Sequence, residues 1–335
     1  MDPAELFFIH HSFRRQANAG AKPSTDIEDI LLKAGAHPIG LPRAYYKHDK
    51  AVHLRDIVNS AIVRLAMPRG KSIILQYPAQ YQISNLAKLA KKRHNRLIVW
   101  VHDINELRGL PQADHPDVLS LADIIIAHTP AMKDWLSRRY PNAEIFVLGM
   151  FDYLLDEIPQ APAPHTKSIV FAGNLAKSTF LQHLNFPDDL RLVLYGIGAP
   201  ENLISKPFVD YRGSCMPEQI PARICGETFG LVWDGDSTQS CSGPMGQYLR
   251  YNAPYKLSSY IAAGIPVIIW DQMGIAPFVE QHGIGIAVPD LDSLPQTIEA
   301  IPPARYDKMR QSARNLSQQI TKGHQTLNIL KNVNV

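Results

Sequence analysis

Short apolar runs recur along the chain at intervals long enough for helices. In the first half, Leu6–Ile9, Ser72–Gln76, Leu97–Val101, Asp123–Ala127 and Ile145–Leu148 read as buried strands. A parallel pair needs a helix-length crossover, so this rhythm predicts βαβ units and a parallel sheet. The polar loop from His10 to Pro23 leads into a helix with Ile27, Ile30, Leu31 and Ala34 on one face, and Thr25 and Glu28 have the spacing of a capping box. Thr129-Pro130 marks another helix start. Periodicity lapses between Gly149 and Thr166, where Pro159, Pro162 and Pro164 gather, and this stretch reads as a linker. A second series follows at Ser168–Ala172, Arg191–Tyr195, Phe229–Trp233, Ile265–Trp270 and Ile284–Val288, and the stretch from Tyr306 onward is helical and polar. The predicted class is α/β, with two parallel-sheet domains, 1–150 and 167–313, joined by a linker at 151–166. Ligands are expected in the cleft at the carboxyl ends of the strands.

The stretch Phe229 to Trp270 organises the second half as strand, loop, helix and strand. The helix is expected to start near Pro254 and stop at Gly264. Asn252 at its cap and Lys256 one turn inside would cradle a phosphate or diphosphate, because a helix N-terminus presents N–H groups and a partial positive charge. An ordinary capped crossover helix is the plainer alternative. Three further loops lie at strand ends. Phe171-Ala-Gly-Asn-Leu-Ala-Lys-Ser178 offers close backbone approach at Gly173 and a cation at Lys177. Tyr195-Gly-Ile-Gly198 has part of a dinucleotide fingerprint without its third glycine, which disfavours a dehydrogenase. Asp234-Gly-Asp236 has the form of a divalent-metal motif, against which stands a strand-end turn whose acids cap backbone N–H groups.

In the first half, His102, Asp103, Glu106 and Arg108 follow the strand Leu97–Val101 and supply groups for proton abstraction and anion binding, with a charged surface turn as the alternative. Neighbours in an extended strand end point to opposite sides, so only one of His102 and Asp103 is expected to face a ligand. Lys88, Lys91, Lys92, Arg93 and Arg96 form a basic cluster at a helix end, suited to the helix dipole or to anionic lipid.

A length of 335 residues and 45% apolar content allow two cores. A net charge of +3 is too small to suggest nucleic-acid binding. Cys215, Cys225 and Cys241 form neither a disulfide framework nor a zinc motif, which fits a reducing cytoplasm. Neither a signal peptide nor a membrane-length apolar window is read from the chain, so any membrane contact is expected to be peripheral.

Taken together, His102–Gly109 (HDINELRG), Phe151-Asp-Tyr-Leu154, Phe171–Leu175 (FAGNL), the Ala19–Lys22 loop and Gly230–Lys256 resemble the β-galactofuranosyltransferases of enterobacterial O-antigen clusters. They are also similar to a streptococcal glucosyltransferase acting on serine-rich adhesins. The resemblance spans nearly the whole chain. It implies a GT-B fold, two Rossmann-like domains facing a central cleft, in which the second domain holds a UDP-sugar, the first holds the acceptor, and a C-terminal helix at 314–335 crosses back to the first domain. It places the donor on Gly173, Asn174, Lys177, Tyr195, Gly196, Asp234, Tyr248, Asn252 and Lys256, with Asp234 and Asp236 ordering the loop that carries Tyr248. Gly20, Lys22, Asp26, Glu106 and Arg108 fall on the acceptor side. One departure is Tyr255, where the relatives have His, which removes a direct imidazole contact to phosphate. The implied activity is inverting transfer from a UDP-sugar, galactofuranose first and glucose or galactose as alternatives, to a glycan acceptor that would be lipid-linked. Asp103 is the first choice of base, His102 the alternative, with Asp26 and Glu106 behind them. Lys256 would stabilise the leaving diphosphate, and no metal or other cofactor is expected. A catalytically silent GT-B protein that binds a glycan or a partner enzyme is the competing class. A peripheral position at the inner membrane face and a homo-oligomer are further expectations.

Overall fold

The computed structural model describes residues 5–10, 12–13, 20–45, 49–78, 82–110, 114–160 and 167–334. It divides into two compact units, Met1–Asp152 with Gly323–Val335, and Tyr153–Lys322. Part of the polar loop before the first helix, including Ala19, and the end of the linker at 161–166 lie outside the described residues.

In chain order the first unit contains β1 (Leu6–Ile9), β2 (Ser12–Phe13), α1 (Lys22–Lys33), β3 (His37–Ile39), β4 (Ala44–Tyr45), α2 (Asp49–Ala66) and β5 (Ser72–Tyr77). It continues through α3 (Ile83–Lys92), β6 (Arg96–Val101), α4 (Pro116–Leu121), β7 (Ile124–Ala127), α5 (Pro130–Arg139) and β8 (Glu144–Val147). The second unit contains β9 (Lys167–Ala172), β10 (Leu190–Tyr195), α6 (Glu201–Ile204), β11 (Val209–Tyr211), α7 (Ile220–Ile224), β12 (Phe229–Val232) and α8 (Gly243–Tyr248). It ends with α9 (Tyr255–Ala262), β13 (Val267–Trp270), α10 (Ala276–His282), β14 (Gly285–Val288), α11 (Leu294–Glu299) and α12 (Pro303–Ile320). The last helix, α13 (His324–Asn332), is counted with the first unit.

The first unit's six-stranded parallel sheet has the order β3, β1, β5, β6, β7, β8, and β2 pairs with β4 beside it. The second unit's sheet, also six-stranded and parallel, runs β11, β10, β9, β12, β13, β14. Strands covered on both faces must be apolar at every position. Accordingly β6 is buried throughout from Leu97 to Val101, and β13 throughout from Val267 to Trp270. In each sheet the winding direction reverses at one point, between β1 and β5 in the first and between β9 and β12 in the second. In open α/β sheets, ligands bind outside the carboxyl ends of the strands at such a reversal.

All ten strands read from the apolar pattern are present, with ends at or within two residues of those read. Four short ones are additional. β3 (His-Pro-Ile) and β11 (Val-Asp-Tyr) are three-residue edge strands, partly exposed along their length, and so carry no apolar run. The capping-box reading is corrected. Pro23 fits the first turn, so α1 starts at Lys22 behind Ala21, and Thr25 is an interior residue whose Oγ1 donates to the Lys22 carbonyl at 3.0 Å. Asp26 is therefore not a first-turn capping acid. Glu28 is fully buried and pairs with His10 Nδ1 at 2.8 Å and Arg43 Nε at 3.2 Å. At Thr129 the expected cap holds, its Oγ1 accepting from Met132 N at 3.2 Å.

Candidate functional sites

In the second unit the reversal between β9 and β12 brings together the two strand-end loops that the sequence singles out. After β9, Gly173 and Asn174 are exposed, and the Asn174 side chain accepts from Lys177 N at 3.2 Å while its carbonyl accepts from Ser178 Oγ at 3.0 Å. This turn holds Lys177 on the surface. The adjacent loop after β10 runs alongside. Gly173 N donates to Tyr195 O at 2.9 Å, and Leu175 N donates to Ile197 O at 3.0 Å. Gly196 has φ +149°, and a Cβ there would stand 1.8 Å from the Gly173 carbonyl oxygen, so only glycine lets the loops touch. Tyr195 is buried, supporting the loop from within.

After β12, the Asp234 carboxylate accepts from its neighbour Gly235 N at 2.8 Å. Asp236 accepts from Ser242 Oγ, and Ser242 Oγ accepts from Asp236 N at 3.3 Å. The pair of acids thus closes the loop on itself. Among the described residues there is no group of three or more His, Cys, Asp or Glu suited to a metal ion. Tyr248, at the end of α8, is packed in the core.

Lys256 lies in the first turn of α9. Its Nζ donates to the Trp233 carbonyl at 3.4 Å and stands 4.2 Å from the centre of the Phe171 ring. A Cβ on Gly173 would lie 3.9 Å from it. Burial of the ammonium lowers its pKa, and the charge of Asp234 opposes that shift. The site therefore brings a partly desolvated cation to the carboxyl ends of β9 and β12, beside a glycine loop and a helix N-terminus. Such an arrangement has the chemistry to receive an anion. The expected cap is corrected: Pro254, with extended backbone, holds the cap position, and Asn252 lies two residues before it. The Asn252 Oδ1 is buried without a hydrogen-bond partner. Tyr255, the departure from the family pattern, stacks on Tyr153 with centroids 4.9 Å apart and planes at 19°. Tyr153 in turn donates its hydroxyl to Pro217 O at 2.5 Å.

In the first unit, the carboxyl ends of β1, β5 and β6 carry a buried polar cluster. His102 Nε2 is 2.6 Å from Gln76 Oε1 and 3.4 Å from Ser24 Oγ, and Gln76 Nε2 donates to Ser24 O at 3.3 Å. With the amide oriented by that last bond, Gln76 Oε1 is the acceptor and His102 Nε2 carries the proton. The His102 ring stacks on Phe151 at 5.6 Å with planes at 4°. His128 meets the Phe151 ring edge-on at 4.8 Å; burial lowers its pKa to about 4, and its Nε2 lies 2.9 Å from Val101 O. Asp103, the residue after His102, is paired with Arg108 at 3.0 Å. Glu106 pairs with Arg139. Lys22 and Asp26 form a buried ion pair at 2.9 Å, and Gly20 is exposed at the turn before them. Asp152 accepts from Gln325 N at 3.0 Å and Thr326 N at 2.7 Å, holding the start of α13, and burial raises its pKa to about 6 against those two donors.

Gln76, Ser24, His10, Glu28 and Asp152 were not singled out by the sequence as site residues. Polar residues inside a buried strand end and on a helix's inner face were the available signal, since such groups require partners. The basic cluster is largely spent. Lys88 pairs with Asp117 at 3.2 Å, Lys91 with Asp123 at 2.7 Å, Arg93 donates to Arg64 O at 2.8 Å, and Arg96 donates to Val333 O at 3.0 Å. Among the described residues, no helix is long and apolar enough to cross a membrane.

Residues 7–150 match the family described as Glucosyltransferase 3-like, N-terminal domain, and residues 169–333 match the corresponding C-terminal domain. The chain is 31% identical over 242 residues to Beta-1,6-galactofuranosyltransferase WbbI of Escherichia coli strain K12, covering 71% of each. It is 23% identical over 317 residues to Glucosyltransferase 3 of Streptococcus parasanguinis, covering 91% of this chain and 90% of the other. Among solved structures, sucrose-phosphate synthase from Thermosynechococcus elongatus aligns with a TM-score of 0.61 at 13% identity over 98% of both chains. HepE of Anabaena, in complex with UDP, aligns with a TM-score of 0.62 at 12% identity over 98% of this chain and 99% of that one.

Proposed function

The chain belongs to the glucosyltransferase 3-like family and is a glycosyltransferase of GT-B fold, and we propose that it transfers galactofuranose from its UDP-sugar, with inversion, to a glycan acceptor of cell-surface polysaccharide synthesis. The observation that carries the donor assignment is Lys256. Its ammonium sits at the reversal of the second sheet, beside the glycine loop after β9 and in the first turn of α9. A diphosphate placed there meets backbone N–H groups and a cation, so charge that builds on the leaving oxygen is stabilised more than charge in the ground state. UDP as the carrier is supported by the UDP complex of HepE. Galactofuranose is supported by WbbI, while the streptococcal relative makes UDP-glucose the second reading.

Single displacement needs a base for the acceptor hydroxyl. The bond from acceptor oxygen to the anomeric carbon forms as the bond to UDP breaks, and the hydroxyl proton passes to the base. Asp103 is the choice from sequence, but its carboxylate is paired with Arg108. The hydrogen bond to Gln76 puts the His102 proton on Nε2 and leaves the basic nitrogen at Nδ1, so the geometry favours His102.

The deciding experiment is product formation from UDP-galactofuranose, UDP-galactopyranose and UDP-glucose with one aryl-glycoside acceptor. The expected result is fastest turnover of UDP-galactofuranose. Faster turnover of UDP-glucose would replace the sugar assignment and leave the diphosphate site intact.

A further inference from the structure

Helix α2 is built inside out. Its inward positions are Arg55, Asn59, Ser60 and Val63, all buried. The polar members are used to hold the loop between β3 and β4: Arg55 donates to the Pro42 carbonyl, and Asn59 Oδ1 accepts from Leu41 N at 2.7 Å. The outward positions are Leu54, Ile57, Val58, Ala61 and Leu65, which at 3.6 residues per turn fall within an arc of about 100°. They are exposed, Leu54 by 65%, Ile57 and Val58 by 45% each, and Leu65 by 84%. A surface helix of a soluble domain has the opposite arrangement, with its apolar stripe on the core.

The surroundings of this stripe are basic. Arg64 and His53 border it on one side, and Arg69 and Lys92 are exposed. At the C-terminal end of α2, beside Leu65, the Arg93 guanidinium donates to Arg64 O and Met67 O. No Asp or Glu stands on the outward face among the described residues; Asp56 is on the other side of the helix, half-buried.

We propose that the outward face of α2 is a docking surface for an anionic lipid bilayer, with Leu54, Ile57, Val58 and Leu65 entering the interface and Arg64 and Arg69 meeting the headgroups. An apolar stripe bordered by Arg and His matches the boundary between acyl chains and anionic headgroups. Charge disfavours the other simple occupant, since a second copy packed symmetrically on this stripe would bring its arginines, Arg64 and Arg69, near their counterparts. This surface moves the membrane contact from the Lys88–Arg96 cluster, whose charges are mostly paired, to the preceding helix. It does not rest on the identity of the sugar.

The test uses the full chain with vesicles of phosphatidylglycerol and phosphatidylcholine, and with vesicles of phosphatidylcholine alone. The wild type is expected to sediment with the anionic vesicles and to be released by salt. Leu54→Ser/Ile57→Ser/Leu65→Ser should bind at least about tenfold more weakly, while melting temperature and transfer to a soluble acceptor stay as in the wild type. Arg64→Glu/Arg69→Glu should lose the preference for anionic lipid. Light scattering of both proteins accompanies these measurements. The proposal is overturned if the triple variant binds anionic vesicles like the wild type. It is equally overturned if the variant's only change is a smaller oligomer, which would make a second copy the occupant.

Discussion

Lys256 holds its ammonium 4.2 Å from the centre of the ring of Phe171, the next-to-last residue of β9 before the glycine loop. The contact partly replaces lost hydration, since an aromatic face attracts a cation. Burial still lowers the pKa, so the site is arranged for an arriving anion to restore the balance. Lys256→Ala should depress kcat by at least ~100-fold, the scale for removing one group that stabilises developing charge. Steady-state kinetics with saturating donor are the check, and turnover near the wild-type value would remove Lys256 from the chemistry.

Gly196→Ala should damage both stability and donor binding. The new Cβ would stand 1.8 Å from the Gly173 carbonyl oxygen, at a φ of +149° that L-residues rarely adopt. The loops after β9 and β10 must separate to admit it, at a cost of about 2–4 kcal/mol. Denaturant unfolding measures that loss, and calorimetry with UDP should show at least tenfold weaker binding. A wild-type unfolding midpoint would show that the loops have room that the geometry denies.

Both sheets were legible because strands covered on two faces must be apolar throughout, as Leu97–Val101 and Val267–Trp270 are. The edge strands His37–Ile39 and Val209–Tyr211 are half-exposed and had no such pattern to read. Of the proposed donor residues, Gly173, Gly196 and Asp234 follow strand ends that can be placed from the apolar runs, and Lys256 stands in the first turn of the helix read as starting near Pro254. Asn252 was misplaced as a cap because capping depends on backbone angles, which Pro254 sets here. The polar cluster around His102 was half legible. His102 stands in a motif, whereas Gln76, Ser24 and Asp152 come from three separate segments and meet it or its neighbours only after folding.

Transfer should persist in excess EDTA. The Asp234 carboxylate takes the Gly235 N–H at 2.8 Å, and Asp236 takes the Ser242 hydroxyl, so both acids are engaged in shaping the loop. The cation facing the diphosphate would be Lys256, held by the protein itself. Loss of activity in EDTA that Mg²⁺ or Mn²⁺ restores would give Asp234-Gly-Asp236 the metal role instead.

Asp152 should make stability depend on pH in an unusual direction. Burial raises its pKa from 3.8 to about 6, although Thr326 and Gln325 donate to it. The folded chain therefore holds this proton more tightly than the unfolded chain. The contribution is full below about pH 4 and is lost as pH rises through about 6. That difference in pKa corresponds to about 3 kcal/mol. Asp152→Asn stays neutral throughout, so the wild type should lose stability relative to it between about pH 4 and pH 6. Thermal melts of both proteins across that range would refute the assignment if their difference were flat.

The base can be separated from its neighbour by paired substitutions. His102 is held by Gln76 at 2.6 Å and by stacking on Phe151, and the direction of the Gln76 amide, which donates to Ser24 O, leaves the ring's basic nitrogen at Nδ1. Asp103 is bound to Arg108 at 3.0 Å, and protonating it would break that pair. His102→Ala should lower kcat by at least ~100-fold, the lower end for general-base catalysis. UDP affinity should stay within a few-fold of the wild type, because the proposed diphosphate contacts belong to the other unit. Gln76→Leu should shift the pH profile of kcat without changing UDP affinity, since it frees the proton position on the ring while leaving the ring in place. Asp103→Asn should retain substantial transfer. If Asp103→Asn is inactive while His102→Ala still transfers sugar, the carboxylate is the base, and the His102–Gln76 pair only shapes the strand ends around it.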